Sequence, residues 1–344
     1  MSRWAVILAG GVGSRFWPLS TADRPKQLLP LATSKPLLLD TVDRLRLIAD
    51  PAHMLVLTNA GLVDAIAKLV PDLPAENIIA EPRPAGTAAA LAWAAITIER
   101  RDGPDATMLC VHSDWAIGDP DKYRETLVAA EKLAVAKKSL VTVGVVPTRA
   151  DTGFGYIEPA GDSRGRGAYV KRFVEKPDAA LAAKMKADGY LWNSGIFAWK
   201  VGDFLGEVSR HTREISGAVG SARTDRSDAA TFFAAVESVS VDVGVLERSD
   251  KVMVLGGDFG WDDIGTWSAL ARVREQDGGG NVVNGAAHLL EATGNVVHAE
   301  EGSVVLYGVS DLVVVARNGM TLVTTREKAA DLKKLVDSLP DSMR

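Results

Sequence analysis

The sequence predicts a three-layer α/β fold followed by a small all-β module. Three observations predict it: short, nearly continuous apolar runs; longer stretches of helical period between them; and a change of rhythm after a glycine-rich linker near residue 280. The apolar runs at 5–9, 54–58, 107–111 and 140–146 are expected to be strands buried on both faces. Between them, residues 36–46, 62–69, 87–98 and 123–136 carry helical spacing. Strands alternating with helices imply parallel βαβ units and a mostly parallel sheet. From Asp151 on, β pieces at 156–158, 168–175 and 195–200, with a short helix over Ala179–Ala187, are expected as strands inserted beside that sheet.

Residues 276–281 (Gln-Asp-Gly-Gly-Gly-Asn) form the clearest linker and divide the chain into domains 1–276 and 281–344. The second carries closely spaced short runs at 282–283, 287–290, 296–299, 303–307, 311–316 and 322–323. A terminal helix closes it, with Thr324 and Glu327 spaced as a capping box. Leu332, Leu335, Val336 and Leu339 make one apolar stripe, which must pack on the β module or on a partner subunit. A homodimer is expected on that ground.

The 344 residues fit a large domain plus a smaller one. A net charge of −5 without a basic run argues against nucleic acid as a partner. The one cysteine, Cys110, excludes an intramolecular disulfide and a cysteine zinc site, and the five histidines show no metal-ligand spacing. No signal peptide is read at the N-terminus, and no apolar run approaches the roughly 20 residues a membrane helix needs. A cytoplasmic setting without membrane attachment is expected.

The strongest motif is Leu8-Ala9-Gly10-Gly11-Val12-Gly13-Ser14-Arg15, continued by Phe16-Trp17-Pro18-Leu19-Ser20 and then Arg24-Pro25-Lys26-Gln27. A strand runs into a glycine loop at its carboxyl end, where α/β sheets bind ligands. The glycines allow backbone N–H groups close to phosphate oxygens, and Arg15 and Lys26 can neutralise a triphosphate. A P-loop is excluded because Gly-Lys-Ser/Thr is absent. A dinucleotide fingerprint is excluded because Phe16 stands where its third glycine would be. The glycines alone also fit a tight turn; Arg15, Pro18, Pro25 and Lys26 tip the reading to phosphate.

The segment 8–31 resembles the signature of the sugar-nucleotide pyrophosphorylases, and Phe16–Ser20 with Arg24–Gln27 resembles their mannose-1-phosphate guanylyltransferase branch. The resemblance covers nearly the whole chain. It implies a Rossmann-like, GT-A-like nucleotidyltransferase domain with a mixed, mostly parallel sheet, and a C-terminal β-helix-like module ending in a helix. It also implies transfer of GMP from GTP to mannose 1-phosphate with Mg²⁺. By resemblance Arg15, Lys26, Asp114 and Asp263 are catalytic, and Asp114 and Asp263 hold the metal. Leu8, Ala9, Gly10, Gly11, Gly13, Ser14, Ser113, Glu81, Pro82, Gly86 and Thr87 would contact the nucleotide. Gly155, Glu175, Lys176 and Asn193 would contact the sugar phosphate.

The sequence departs from the family pattern in four places. His112 and Trp115 flank Asp114 where Pro and His are usual, Gly86 stands where Asn is frequent, and Asp262 replaces Ser or Asn. Thr87 is a plausible helix N-cap in its own right. Asp262 is expected to add charge beside the metal. The alternatives are another nucleotide and sugar pair, or a catalytically silent regulatory paralogue.

Overall fold

The computed structural model describes residues 1–11, 14–21 and 23–340. The chain forms two compact units: Met1–Gly10, Asp43–His112 and Asp119–Phe259 make the first, and Gly11–Val42, Ser113–Gly118 and Gly260–Arg344 the second.

The first unit is built on a nine-stranded sheet. In spatial order its strands are Ile78–Glu81, Met54–Asn59, Arg3–Leu8, Thr107–His112, Leu191–Lys200, Leu140–Val145, Val252–Gly257, Ala168–Val174 and Tyr156–Pro159. Only Leu191–Lys200 and Ala168–Val174 run against the common direction, so the sheet is mixed and mostly parallel. Trp4, Val6 and Leu8 point to one face, into a core shared with helix Gly86–Asp102 and with Phe204, Val208 and Val219. Ala5 and Ile7, on the opposite face, are also fully buried. Both faces are covered, which is why residues 4–8 of this strand are all apolar. Helices Val63–Leu69, Pro120–Lys137, Ala179–Ala187, Val201–His211, Arg213–Asp225 and Ala229–Ala234 also belong to this unit.

Leu191–Lys200 carries the feature that matters most for function. Against Leu140–Val145 its register jumps: Val143 faces Ile196, but Gly144 faces Asn193. Ser194 and Gly195 are bulged out, and Gly195 takes φ +73°. Glycine at that position makes the bulge inexpensive.

The second unit contains the β module. Val282–Asn284, Val296–Ala299 and Leu312–Arg317 stack in parallel, and Met320–Thr325 closes the stack antiparallel. Ala287–Leu290 and Val304–Tyr307 pair in parallel on a second face. This is β-helical coiling. Gly280, Gly294 and Asp311 hold positive φ at equivalent corners. Asn295 donates from both its backbone and its amide to Asn281 Oδ1, at 2.9 Å each, and Leu312 N–H donates to Asn295 Oδ1. An asparagine ladder thus satisfies the buried corner.

The capping box is corrected. Thr324 is paired with Val313 inside the last strand, and the hydroxyl of Thr325 accepts from Lys328 N–H instead. The terminal helix is Leu332–Ser338. Leu332 is buried in the unit's own core, Val336 and Leu339 pack on it, and only Leu335 is substantially exposed. The stripe is therefore consumed within the chain.

Candidate active site

The two units are described in turn. In the second, three distant segments meet. The pairing of Ala116–Ile117 with Trp261–Asp262 brings Asp114 and Asp263 to one end of a two-stranded ribbon. Lys26, in a short 3₁₀ turn, is buried beside them. Its Nζ lies 2.9 Å from Asp114 Oδ2 and donates to Asp263 O at 2.6 Å. Arg15 is exposed, and its Nη1 lies 3.3 Å from Gly265 O. Gly265 N–H in turn donates to Asp263 Oδ1 at 3.2 Å. A Cβ on Gly265 would sit 2.6 Å from Asp263 Oδ2 and 3.3 Å from Arg15 Nη1, so only glycine lets these groups crowd one turn. Ile264 beside it takes φ +43°, a costly conformation for a β-branched residue.

Burial pushes the Asp263 carboxyl up, and the like charges of Asp262 and Asp114 add to this, while Lys26 opposes it. Two close carboxylates, one of them held above its ordinary range, form a site that a dication would relieve. Among the described residues no group of three His, Cys, Asp or Glu could hold a metal. Two carboxylates do match a magnesium-type ion, which takes its remaining ligands from water and substrate phosphate.

Asp262 adds its charge beside Asp263, as expected from the sequence, but its own carboxylate is already engaged. Its carboxylate is buried in a bidentate ion pair with Arg272, at 2.7 and 3.0 Å, and caps Ile264 N–H. Trp115 is buried and meets Trp261 edge-on at 5.8 Å, so this departure fills the space behind the ribbon. Gly11 is exposed. Gly13 and the side chain of Ser14 lie outside the described residues.

In the first unit, Ala9 N–H donates to Leu57 O and Ala9 O accepts from Thr58, fixing the start of the glycine loop. A Cβ on Gly10 would lie 3.6 Å from Glu81 Oε1. Burial pushes the Glu81 carboxyl up to about 7. Gly86 has φ +79°, and a Cβ there would overlap the carbonyl of Val239. The segment around Val239 thus excludes the frequent asparagine. Thr87 is not an N-cap: the cap position is Ala85, and the Thr87 hydroxyl accepts from Val241 N–H at 2.9 Å.

The sugar-side candidates are contiguous. Asn193 N–H donates to Gly155 O at 2.8 Å, and a Cβ on Gly155 would lie 2.7 Å from Glu175 Oε2. Lys176, at φ +45°, pairs with Glu175 Oε1 at 2.6 Å, both side chains being exposed. Sequence reasoning missed Asp242. Its Oδ1 accepts from Asn193 Nδ2 at 2.7 Å. It opens a single π-helical turn, Asp242–Leu246, a rare geometry often found at functional sites. A lone Asp between valines gives no sequence signal.

A nucleotidyl transferase model matches residues 4–278, and a mannose-phosphate isomerase/GMP-like β-helix model matches 281–339. A mannose-1-phosphate guanylyltransferase of Escherichia coli is 34% identical over 98% of this chain and 74% of its own length. A second, from strain K12, is 36% identical over 98% and 73%. The chain belongs to the mannose-1-phosphate guanylyltransferase family. A Thermus thermophilus structure, titled a mannose-1-phosphate geranyltransferase, superposes with TM-score 0.91 at 33% identity, covering 98% of this chain and 99% of that one. The nucleotidyl transferase family generally uses a divalent metal. No helix among the described residues is long and apolar enough to cross a membrane.

Proposed function

We propose that the chain transfers GMP from GTP to mannose 1-phosphate, giving GDP-mannose and pyrophosphate. The observation that carries this reading is Lys26, buried between Asp114 and the Asp263 carbonyl, with Arg15 on the adjoining turn. Two cations and two carboxylates gathered in one unit suit a reaction that moves phosphate charge.

A phosphate monoester with a second pKa of about 6 is mostly ionised at neutral pH, so its oxygen can attack the α-phosphorus without a general base. The α–β phosphoanhydride bond breaks and pyrophosphate leaves. The residues then contribute position and charge. Arg15 and Lys26 neutralise the triphosphate and its leaving pyrophosphate. The family resemblance assigns Leu8, Ala9, Gly10, Gly11, Gly13, Ser14 and Ser113 to the nucleotide, and Pro82, Gly86 and Thr87 to its base. Asp114 and Asp263 would hold Mg²⁺, which supplies charge neutralisation across the phosphates when bound. A desolvated Glu81 carboxylate is best relieved by two adjacent donors, and the N1–H and N2–H of guanine offer such a pair. Gly155, Glu175, Lys176 and Asn193 take the sugar phosphate.

Pyrophosphate release is measured with four NTPs against several sugar 1-phosphates. GTP with mannose 1-phosphate is expected to be the best pair, and silence on that pair sinks the assignment. Arg15→Ala, Lys26→Ala and Asp263→Ala are each expected to lose at least 100-fold in kcat with an unchanged circular-dichroism spectrum. A variant that keeps turnover removes its residue from the mechanism. The proposed setting is the cytoplasm; light scattering of the full chain tests the homodimer expected from the sequence, for which the terminal stripe, packed within the chain, no longer speaks.

A further inference from the structure

The Asn193 amide is held at both ends. Its oxygen accepts from Thr142 Oγ1 at 3.3 Å and faces Gly195 N–H at 3.4 Å. Its nitrogen donates one hydrogen to Asp242 Oδ1 at 2.7 Å. Turning the amide over would set its oxygen against a carboxylate oxygen and its NH₂ against a backbone N–H. That leaves one polarity.

Asp242 is placed with care. Val241 N–H is bound by Thr87 Oγ1, Gly244 O accepts from Thr212 Oγ1 at 2.8 Å, and Val243 N–H meets Ser240 Oγ at 3.2 Å. The π-turn is thus tied down on three sides. Glu214, in the same unit, faces Arg248. Among the described residues Asp242 forms no ion pair with Arg or Lys. The charged groups it senses are His112, Glu175 and Glu247, and burial pushes its carboxyl up. A desolvated carboxylate without a guanidinium partner costs stability. An amide locked in one sense is what that cost maintains.

We infer that Asp242 is the positioning residue of the sugar subsite: it fixes Asn193 so that the site offers one N–H donor, beside the Glu175 carboxylate acceptor, to neighbouring hydroxyls of a hexose 1-phosphate. This rests on the reaction proposed above. The subsite has a fixed donor and acceptor sense, and the hydroxyl met by Asn193 is read as an acceptor.

Steady-state kinetics on the full chain test it, with GTP and mannose 1-phosphate varied in turn. Asp242→Ala frees the amide and is expected to raise the sugar KM tenfold or more, with the GTP KM within twofold. Asp242→Asn, whose side-chain oxygen can still accept from Asn193, is expected to fall between, at about threefold. Against mannose 1-phosphates each lacking one hydroxyl, the wild type and Asp242→Asn should become equal for one analogue. Equal losses on both substrates, an unchanged sugar KM, or a uniform response across the analogues overturns the inference. If Asp242→Ala does not fold, the Asn variant and the analogues decide alone. If the wild type releases no pyrophosphate, the reaction assignment fails separately. Calorimetric binding of mannose 1-phosphate then carries the test, with weaker binding to Asp242→Asn expected and equal binding overturning it.

Discussion

At the scale of single residues, the structure assigns a cause to Gly86, one of the departures in the sequence. Gly86 is glycine because Val239 fills the space a Cβ would need. Gly86→Asn is expected to cost about 2–3 kcal/mol, the usual scale of overpacking, seen as a lower urea midpoint. Glu81 gives a pH signature. Its folded-state pKa, about 7, exceeds the ordinary 4.5, so the folded protein holds a proton that the unfolded chain releases. Stability is therefore lost as pH rises from 4.5 through about 7. Glu81→Gln should match the wild type near pH 4 and be more stable at pH 8, by about 1–2 kcal/mol after discounting for partial exposure. Thermal melts at the two values check this. Arg15 and Lys26 were legible in the sequence because cations beside a glycine loop have few other uses. Asp242 was not, because its role comes from a bulge at Asn193 that brings together residues 49 positions apart.

At the scale of elements, the β module is bound to the segment that carries the cations. Arg317 Nη1 donates to Pro18 O at 3.1 Å and to Leu19 O at 2.8 Å, and its Nε lies 3.1 Å from Glu300. Arg24 makes a bidentate pair with the same Glu300, at 2.7 and 2.8 Å. Arg317→Ala leaves two carbonyls without their donor. It is expected to lose about 1–2 kcal/mol and to lower kcat severalfold, measured by melting and pyrophosphate release. Strands were legible where both faces are buried, as at Met54–Asn59. The three helices between Val201 and Ala234 gave no motif, since their burial answers to neighbours rather than to a local signal. The β-helical corners were legible only as regular spacing. The Asn281–Asn295 ladder that makes them work depends on stacking.

At the scale of the whole molecule, the compact units do not follow chain order. Phe16, Trp17, Leu19 and Leu29 share one core with Trp267, Val282, Val296, Val313, Leu322 and Leu332. A chain ending at residue 280 would expose that apolar surface. It is expected to aggregate or melt without a cooperative transition, and to lack turnover, as scattering and calorimetry would show. The same feature sets an order of events during synthesis. Arg15 and its partner Gly265 are 250 positions apart, and at 5–20 residues per second the ribosome needs roughly 12–50 s to cover that distance. Throughout that interval the first residues to emerge, including the phosphate-handling cations, lack the partners that shape them. The last sheet strand to be made, Val252–Gly257, precedes Gly265 by only eight residues, so a nascent chain of this protein completes its sheet and its catalytic turn almost together.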